Sequence, residues 1–500
     1  MLPSTSNSQG ASKDPWRLDG CNGCFSDWAA HFLGRPNLHL EDINVSTEAI
    51  DRHAAYDKKK LFILSIIALT TSGMAFSIRT AVVKDMEKYY FSSSAAHSGA
   101  LITTAIAYAS LGGALSVFIG SPLCDYLGMG RLLLLASLCH VFGTAGAIFA
   151  PQGELANVVL AGGMIAIGLA GGLVEAVINP LVATVYPDDK THKLNVLHAW
   201  WPGGIIIGGL LAFGLGKLGV SWQMKLGCVL IPAVIYALMV LGTKFPPTER
   251  VAAGVPTREM LKQVFQPLYI VLFFCMWLTA ASELAPGQWV DAALSDRVGF
   301  QGILLLVYVS ALMFVMRHFA GSFAHRLSPI GLMWVSCLLA SLGLYTLSIA
   351  NSPITGLLAA TVWGVGVCYM WPTMLGITSE RFAKGGAFLI GLTGSAGSLS
   401  IFFVLPKIGD IFDKAKIQAA TNAQTSFAYL ENAAKTSPAA KATLAAVKSE
   451  AYGISFRSVA ILPAILLIVF GAWWLYDRAR GGYKAVRLTQ PEDLDPALVE

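Results

Sequence analysis

Glu175 and Asn179 stand four residues apart in the apolar run GGLVEAVINPLVATVY, a spacing that puts a carboxylate and an amide on one helical face. Pro180 follows at once and leaves the backbone carbonyl one turn earlier without its helical partner. The next apolar run opens with Asn195, His198 and the pair Trp200 and Trp201, then Pro202-Gly203-Gly204. An acid, an amide, an imidazole and indoles inside apolar helices are costly in lipid and useful to a polar solute. A carboxylate in that setting is either protonated or paired, and one that loads and unloads a proton is what a proton-coupled carrier requires.

Other polar residues fall in similar surroundings. Arg79 and Glu283 lie late in their apolar runs and are expected to face one another as an ion pair that breaks between states. Alternatively, Arg79 binds an anionic solute. Gln288, Trp289, Tyr369, Trp371 and Trp201 supply amide and aromatic faces. Aromatic rings stack on the C–H face of a pyranose while Asn179, Asn195 and His198 take hydroxyls, so this set suits a sugar, although indoles are also ordinary at membrane interfaces. Nothing resembles a nucleophile with its base, a phosphate-cradling loop or a metal cluster, so neither enzymatic chemistry nor ATP-driven transport is expected. Cys21 and Cys24 form a CxxC without a second ligand pair, and the other six cysteines are scattered singly through apolar segments.

These residues need helices to hold them. Of the 500 residues 55% are hydrophobic and 13% charged, and the mean hydropathy is +0.60. A soluble chain carries about 25% charged residues, so this is a polytopic membrane protein. Runs of the ~20 residues that cross a bilayer fall near 61–85, 98–120, 131–150, 155–183, 194–216, 223–243, 267–291, 302–324, 330–350, 354–376, 387–406 and 456–476. The expected fold is therefore all-α, with twelve spans in two pseudo-symmetric six-helix halves, 58–244 and 267–480. A polar tail, 1–57, precedes them, a central loop of 245–266 with a short interfacial helix joins them, and a tail of 481–500 follows. Residues 407–456, rich in Ala, Lys, Thr and Ser, are expected to be helical and exposed outside, as a tolerated insertion rather than a lid. No cleavable signal peptide is expected at the start of the chain.

Basic residues set the orientation. Lys58, Lys59, Lys60, Arg131, Lys190, Lys193, Lys244, Arg250, Arg326, Arg381 and Arg478 fall on one side, against Lys84, Lys88, Lys217, Lys225 and Arg297 on the other. Both termini are expected in the cytoplasm, and the protein in the plasma (inner) membrane.

Two stretches about 200 residues apart share a plan. SPLCDYLGMGR (121–131) follows the second span and GSFAHRLSP (321–329) the eighth. Asn179-Pro180 at the end of the fourth span answers to Trp371-Pro372 in the tenth, and a glycine-rich helix follows each. Repeats of this kind place a solute site between the halves near the midplane.

The 121–131 stretch resembles the signature loop of the major facilitator superfamily, Gly-x-Leu-Ala-Asp-Arg-x-Gly-Arg: Leu123, Asp125 and Gly128 match, while Ser121, Cys124 and Tyr126 depart. The resemblance implies a secondary carrier working by alternating access, with Asp125 pairing a basic group when the inner gate is closed, and Arg131 and Arg326 as gate residues. Glu175-x-x-x-Asn179-Pro180 is similar to the fucose–proton symporter and hexose-permease branch, which implies a coupling or substrate carboxylate at Glu175. Where that branch carries an Asn-Asp pair in its first helix, this sequence has MAFSIRTAVV with Arg79.

The expectation is a symporter for a monosaccharide, with a proton or sodium as coupling ion and no other cofactor. The alternative is a carrier of organic anions, sugar acids or organophosphates, using Arg79, and a non-transporting solute sensor stands behind both. The expected partners are a small-molecule substrate and the lipid bilayer, with no nucleic acid, and the chain acting as a monomer.

Overall fold

The computed structural model describes residues 56–91, 98–153, 155–298 and 302–488, which fall in one compact unit. The N-terminal tail with Cys21 and Cys24, and the end of the C-terminal tail, lie outside the described residues.

The described chain is helical, with no strand among its residues. In order come α1 (Lys58–Phe91), α2 (Ser98–Leu127), α3 (Met129–Phe149), α4 (Ala156–Val185), α5 (Lys190–Lys217), and the pair α6 (Trp222–Gly227) and α7 (Leu230–Leu241). Two short helices, α8 (Glu249–Ala252) and α9 (Thr257–Val264), make up the central loop. The second half holds α10 (Pro267–Val298), α11 (Gly302–His318), α12 (Ala320–Ile349), the pair α13 (Pro353–Val367) and α14 (Met370–Arg381), α15 (Gly386–Asn422), α16 (Phe427–Ala433) and α17 (Pro438–Ala479). Among the described residues nine stretches are long and apolar enough to cross a membrane, and Val307–His318 in α11 adds a shorter apolar segment. Helices α2 and α15 cover the other two expected spans.

The repeat seen in the sequence is also a repeat of turns. Gly128, between α2 and α3, has φ 82°, and Ser328, a break inside α12, has φ 65°. Both reverse the chain through the left-handed region, which glycine enters freely and serine only under constraint. Here Pro329 follows Ser328, and the Ser328 hydroxyl accepts the Gly331 amide at 3.2 Å. The eighth span accordingly ends at His318, before the expected 324.

Within the first half α1 packs on α5, and α4 on α2 and α3; within the second α10 packs on α15, and α12 on α13 and α17. Lipid gives helices no hydrophobic reason to associate, so close backbone approach does that work. A Cβ at Gly172 on α4 would sit 2.2 Å from the Gly113 carbonyl of α2. Between the halves the pairs are α2 with α15 and α5 with α11, which a two-fold axis exchanges.

Residues 407–456 are largely helical. α15 runs on unbroken to Asn422, and α17 begins at Pro438. Ala-, Lys- and Gln-rich sequence continues each helix until Ser426 and Ser437 cap the next starts, each accepting a backbone amide. With 42 residues α17 is about 63 Å long, twice the ~30 Å hydrocarbon core. It therefore projects well beyond the membrane, beside α15 and α16, around a small core of Ala419, Ala420, Leu430 and Val447.

Candidate functional site

Helices α4 and α5 bring Glu175, Asn179 and His198 together. Asn179 Nδ2 donates to Glu175 Oε2 at 2.9 Å and to the Glu175 carbonyl at 2.8 Å. His198 Nε2 stands 2.8 Å from Asn179 Oδ1, which can only accept, so the imidazole carries its proton there. His198 Nε2 also lies 3.8 Å from Glu175 Oε2. Asn179 thus links acid and imidazole, with both hydrogens of its amide engaged. Glu175 keeps 19% of its side chain exposed, while His198 keeps 3%.

From the other half comes Arg317 on α11, which the sequence reading passed over. Its side chain is 3% exposed and makes three contacts. Nη2 pairs with Glu283 Oε1 of α10 at 3.1 Å, Nε donates to the Cys368 carbonyl at 2.5 Å, and Nη1 donates to the His198 carbonyl at 2.7 Å. A charge inside the apolar run 302–324 was the available signal.

Both carbonyls are free for a stated reason. Pro202 and Pro372 lack the N–H that would bond to His198 and Cys368, four residues earlier. The same holds elsewhere. Pro180 frees the Ala176 carbonyl, which takes the Cys124 thiol at 3.4 Å, and Pro286 frees Ser282, which takes Trp363 Nε1 at 3.3 Å. At four prolines, then, a side chain from a neighbouring helix replaces the missing backbone donor, as buried carbonyls in a membrane require. Of these four bonds, the one from Arg317 to His198 crosses between the halves.

The expected pair of Arg79 with Glu283 does not form: Glu283 belongs to Arg317. Sequence position gave the depth of both residues in equivalent helices but not their rotation about the axes, and Glu283 turns toward α11. Arg79 lies over the Phe76 ring, 6.0 Å from its centroid, and Phe76 meets Trp201 at 6.0 Å. No ion-pair partner for Arg79 stands among the described residues.

Tyr369 and Asn195, both expected as solute contacts, bond within the protein, although Asn195 Oδ1 has no partner among the described residues. Tyr369 is buried, its hydroxyl donating to the Met316 carbonyl at 2.9 Å. Asn195 is buried between the halves, donating to the Thr191 carbonyl at 2.9 Å and to Thr373 Oγ1 at 3.2 Å. Trp371 is half-buried and packs against the cores of both halves. Gln288 and Trp289 lie on α10 where the side chains fall outside the described residues.

The end that carries the central loop is closed. Asp125, at the end of α2, accepts Arg250 Nε at 3.0 Å and Nη2 at 2.6 Å, and the Thr248 hydroxyl at 2.5 Å. The partner of Asp125 is therefore Arg250 of α8; Arg131 and Arg326 stand exposed and apart from it. Lys190 of α5 bonds Glu249 at 2.6 Å and the Ser379 carbonyl at 3.3 Å. Glu380 of α14 takes the Thr191 amide at 3.1 Å and hydroxyl at 2.6 Å, and His192 Nδ1 accepts the Gly321 amide at 3.0 Å. The tail adds a strap: Tyr483 donates to Glu380 Oε2 at 2.7 Å, the Val486 amide to the Glu380 carbonyl at 2.7 Å, and Arg487 pairs with Asp188 at 2.6 Å. Leu375, Ala387 and Ile390 of the second half join the first half's apolar core at this end.

Two six-helix halves that meet through α2–α15 and α5–α11, with ion pairs closing one end and a polar cluster buried at mid-depth, define a polytopic membrane carrier. The chain belongs to the Major Facilitator Superfamily, whose pattern matches residues 61–405, and it is a transporter of that family. No curated protein matches the sequence. Among solved structures it is similar to the proton:xylose symporter XylE bound to 6-bromo-6-deoxy-D-glucose, with a TM-score of 0.66 and 13% identity over 89% of this chain and 99% of that one. The Escherichia coli fucose:proton symporter FucP superposes with a TM-score of 0.59 and 14% identity over 81% of this chain and 98% of that one. The human organic anion transporter TETRAN does so with a TM-score of 0.58 and 12% identity over 83% of this chain and all of that one. At these identities the likeness is one of fold.

Proposed function

We propose that the protein is a secondary transporter that carries a small polar solute, a monosaccharide first, by alternating access coupled to protons through Glu175. The observation that carries this reading is the Glu175–Asn179–His198 network, a partly exposed acid wired through an amide to a buried imidazole. A neutral hydroxyl-bearing solute can bond such a carboxylate in either protonation state, which a fixed ion pair would not permit. The xylose and fucose symporters among the similar structures support the class. On the distribution of Lys and Arg, the central-loop end faces the cytoplasm, so this conformation is closed inward. Both termini are on that side, and the chain works as a monomer in the plasma membrane.

The Arg79 reading is favoured by one fact, the absence of an acid partner for that cation among the described residues. Its position argues for a separate tier. Ser72 faces Gly171, 3.8 Å from where a Cβ would be. Arg79 is seven residues from Ser72 toward one side, and Glu175 four residues from Gly171 toward the other, so their backbones lie roughly 16 Å apart along the axis. A monosaccharide on Glu175 leaves Arg79 to the approach path, where it would draw an organic anion.

The test is uptake of labelled xylose, fucose and glucose into liposomes with and without an imposed proton gradient, for wild type and Glu175→Gln. Accumulation driven by the gradient and lost in the variant, with exchange preserved, supports the proposal. Uptake of acidic sugars alone, abolished by Arg79→Gln, transfers it to the organic-anion class.

A further inference from the structure

Arg317 spans the two halves beside the Glu175 network, and among the described residues no other group does so through a proline-freed carbonyl. We propose that Arg317 is the positioning residue of the transport cycle: its bond to the His198 carbonyl holds α5 against α11, and the closed inner gate depends on that bond. The inference rests on reading the chain as an alternating carrier, but not on the identity of its solute.

The geometry supports it in three steps. First, Pro202 leaves the His198 carbonyl to Arg317. With an N–H at position 202 the His198 carbonyl would be shared with a donor inside α5, which weakens the hold of Arg317 on it. Second, Arg317 is itself fixed on its own side. Glu283 neutralises it, and the Cys368 carbonyl, freed by Pro372, orients the fork. Three donors in a rigid plane reach three acceptors at once, which a lysine cannot reproduce. Third, α5 carries the strain onward as a rigid rod. Lys190, Thr191 and His192, six to eight residues before His198 and about 9–12 Å along the helix, are the residues that bond Glu249, Ser379, Glu380 and Gly321 at the gate.

Two amides report the gate directly. Thr191 N–H is held by Glu380, and Gly321 N–H by His192, each across the boundary between halves. The experiment is hydrogen exchange by mass spectrometry on the full chain in nanodiscs, needing no substrate, for wild type, Pro202→Ala, Arg317→Lys and Pro180→Ala. Alanine is the better helix former, so Pro202→Ala keeps the fold while giving His198 an intrahelical partner. Pro202→Ala and Arg317→Lys are expected to speed exchange in the peptides holding Thr191 and Gly321 at least several-fold, with α3 unchanged. Pro180→Ala, at the proline that frees the Ala176 carbonyl for Cys124 within one half, is expected to leave both peptides at wild-type rates. Wild-type rates in Pro202→Ala and Arg317→Lys overturn the proposal. So does an equal effect from Pro180→Ala, or a rise spread uniformly over the chain. A negative result in sugar uptake bears on the solute alone and leaves these rates to decide.

Discussion

Arg317 of the eighth span donates to the backbone carbonyl of His198 in the fifth at 2.7 Å, so a side chain of one half is bonded to the main chain of the other beside the Glu175 network. Pro202 removes the usual donor and leaves that carbonyl to Arg317. Helix interruption and inter-half contact are the same feature, and the polar cost of a proline in the membrane is met by the group that ties the halves together.

The first prediction concerns the pair itself. Arg317 and Glu283 are 3% and 7% exposed, and removing one partner of a buried pair costs about 3–5 kcal/mol because the other is left uncompensated. Arg317→Gln is therefore expected to express poorly and melt early. Arg317→Gln combined with Glu283→Gln should recover most of the thermal stability, measured in detergent by tryptophan fluorescence, without recovering transport. Equal stability of the single and double variants would show that the pair is not what holds this region.

At the closed end, Asp125 and Arg250 have side chains 3% and 6% exposed. Asp125→Asn keeps the shape but loses the charge that draws in Nε and Nη2. Turnover is expected to fall at least tenfold while the half-saturating solute concentration changes little, since the gate is remote from the site. Initial-rate uptake at several concentrations separates the two, and the opposite pattern would move Asp125 from the gate to binding.

Much of this was legible in the sequence. Each apolar run falls on a helix, because hydrophobic length in lipid is set by the bilayer itself, but several helices run on past it, α15 to Asn422 and α17 back to Pro438. Glu175 and Asn179 could be placed together because i, i+4 spacing fixes a shared face, while His198 stood out as an imidazole within an apolar run. The rest turned on what no single helix contains. Arg317 was overlooked inside its run, and Arg79 was matched to Glu283 by depth alone, when rotation about each axis decides which side chains meet. Arg131 stood in the signature loop, yet Arg250, from a loop with no motif, reached Asp125. Residues 407–456 break the hydropathy, yet their Ala- and Lys-rich composition marks them as helical, and they are helical apart from the turns before Phe427 and Pro438.

The tail strap yields the third prediction. Burial, and then the nearby Glu380 carboxylate, push the Tyr483 phenol well above its ordinary range, so it stays a hydrogen donor throughout physiological pH. Tyr483→Phe removes a charge-assisted bond worth about 1.5–3 kcal/mol and leaves Glu380 with Thr191 alone on that side. Faster exchange of the Val486 amide and a lower melting temperature are expected, with the same difference from wild type at pH 6 and pH 8. A difference that vanishes at the higher pH would show that the phenol ionises and does not act as a fixed donor.

The last prediction uses a glycine where the halves touch. A Cβ on Gly391 of α15 would fall 1.8 Å from Ser121 Oγ and 2.1 Å from Ser121 Cβ on α2. The hydroxyl can rotate away from its 2.7 Å bond to the Val117 carbonyl, but Cβ cannot move without the backbone. Gly391→Ala should therefore keep α2 and α15 apart at the central-loop end and disfavour the inward-closed state. The fold survives, because each helix retains its partners within its own half. Trypsin added from the cytoplasmic side of inverted vesicles is expected to cut after Arg250 faster in Gly391→Ala than in wild type. Adding Ser121→Gly, which vacates the same space, should restore protection. If Gly391→Ala alone is as protected as wild type, then α2 and α15 do not approach this closely when the gate shuts.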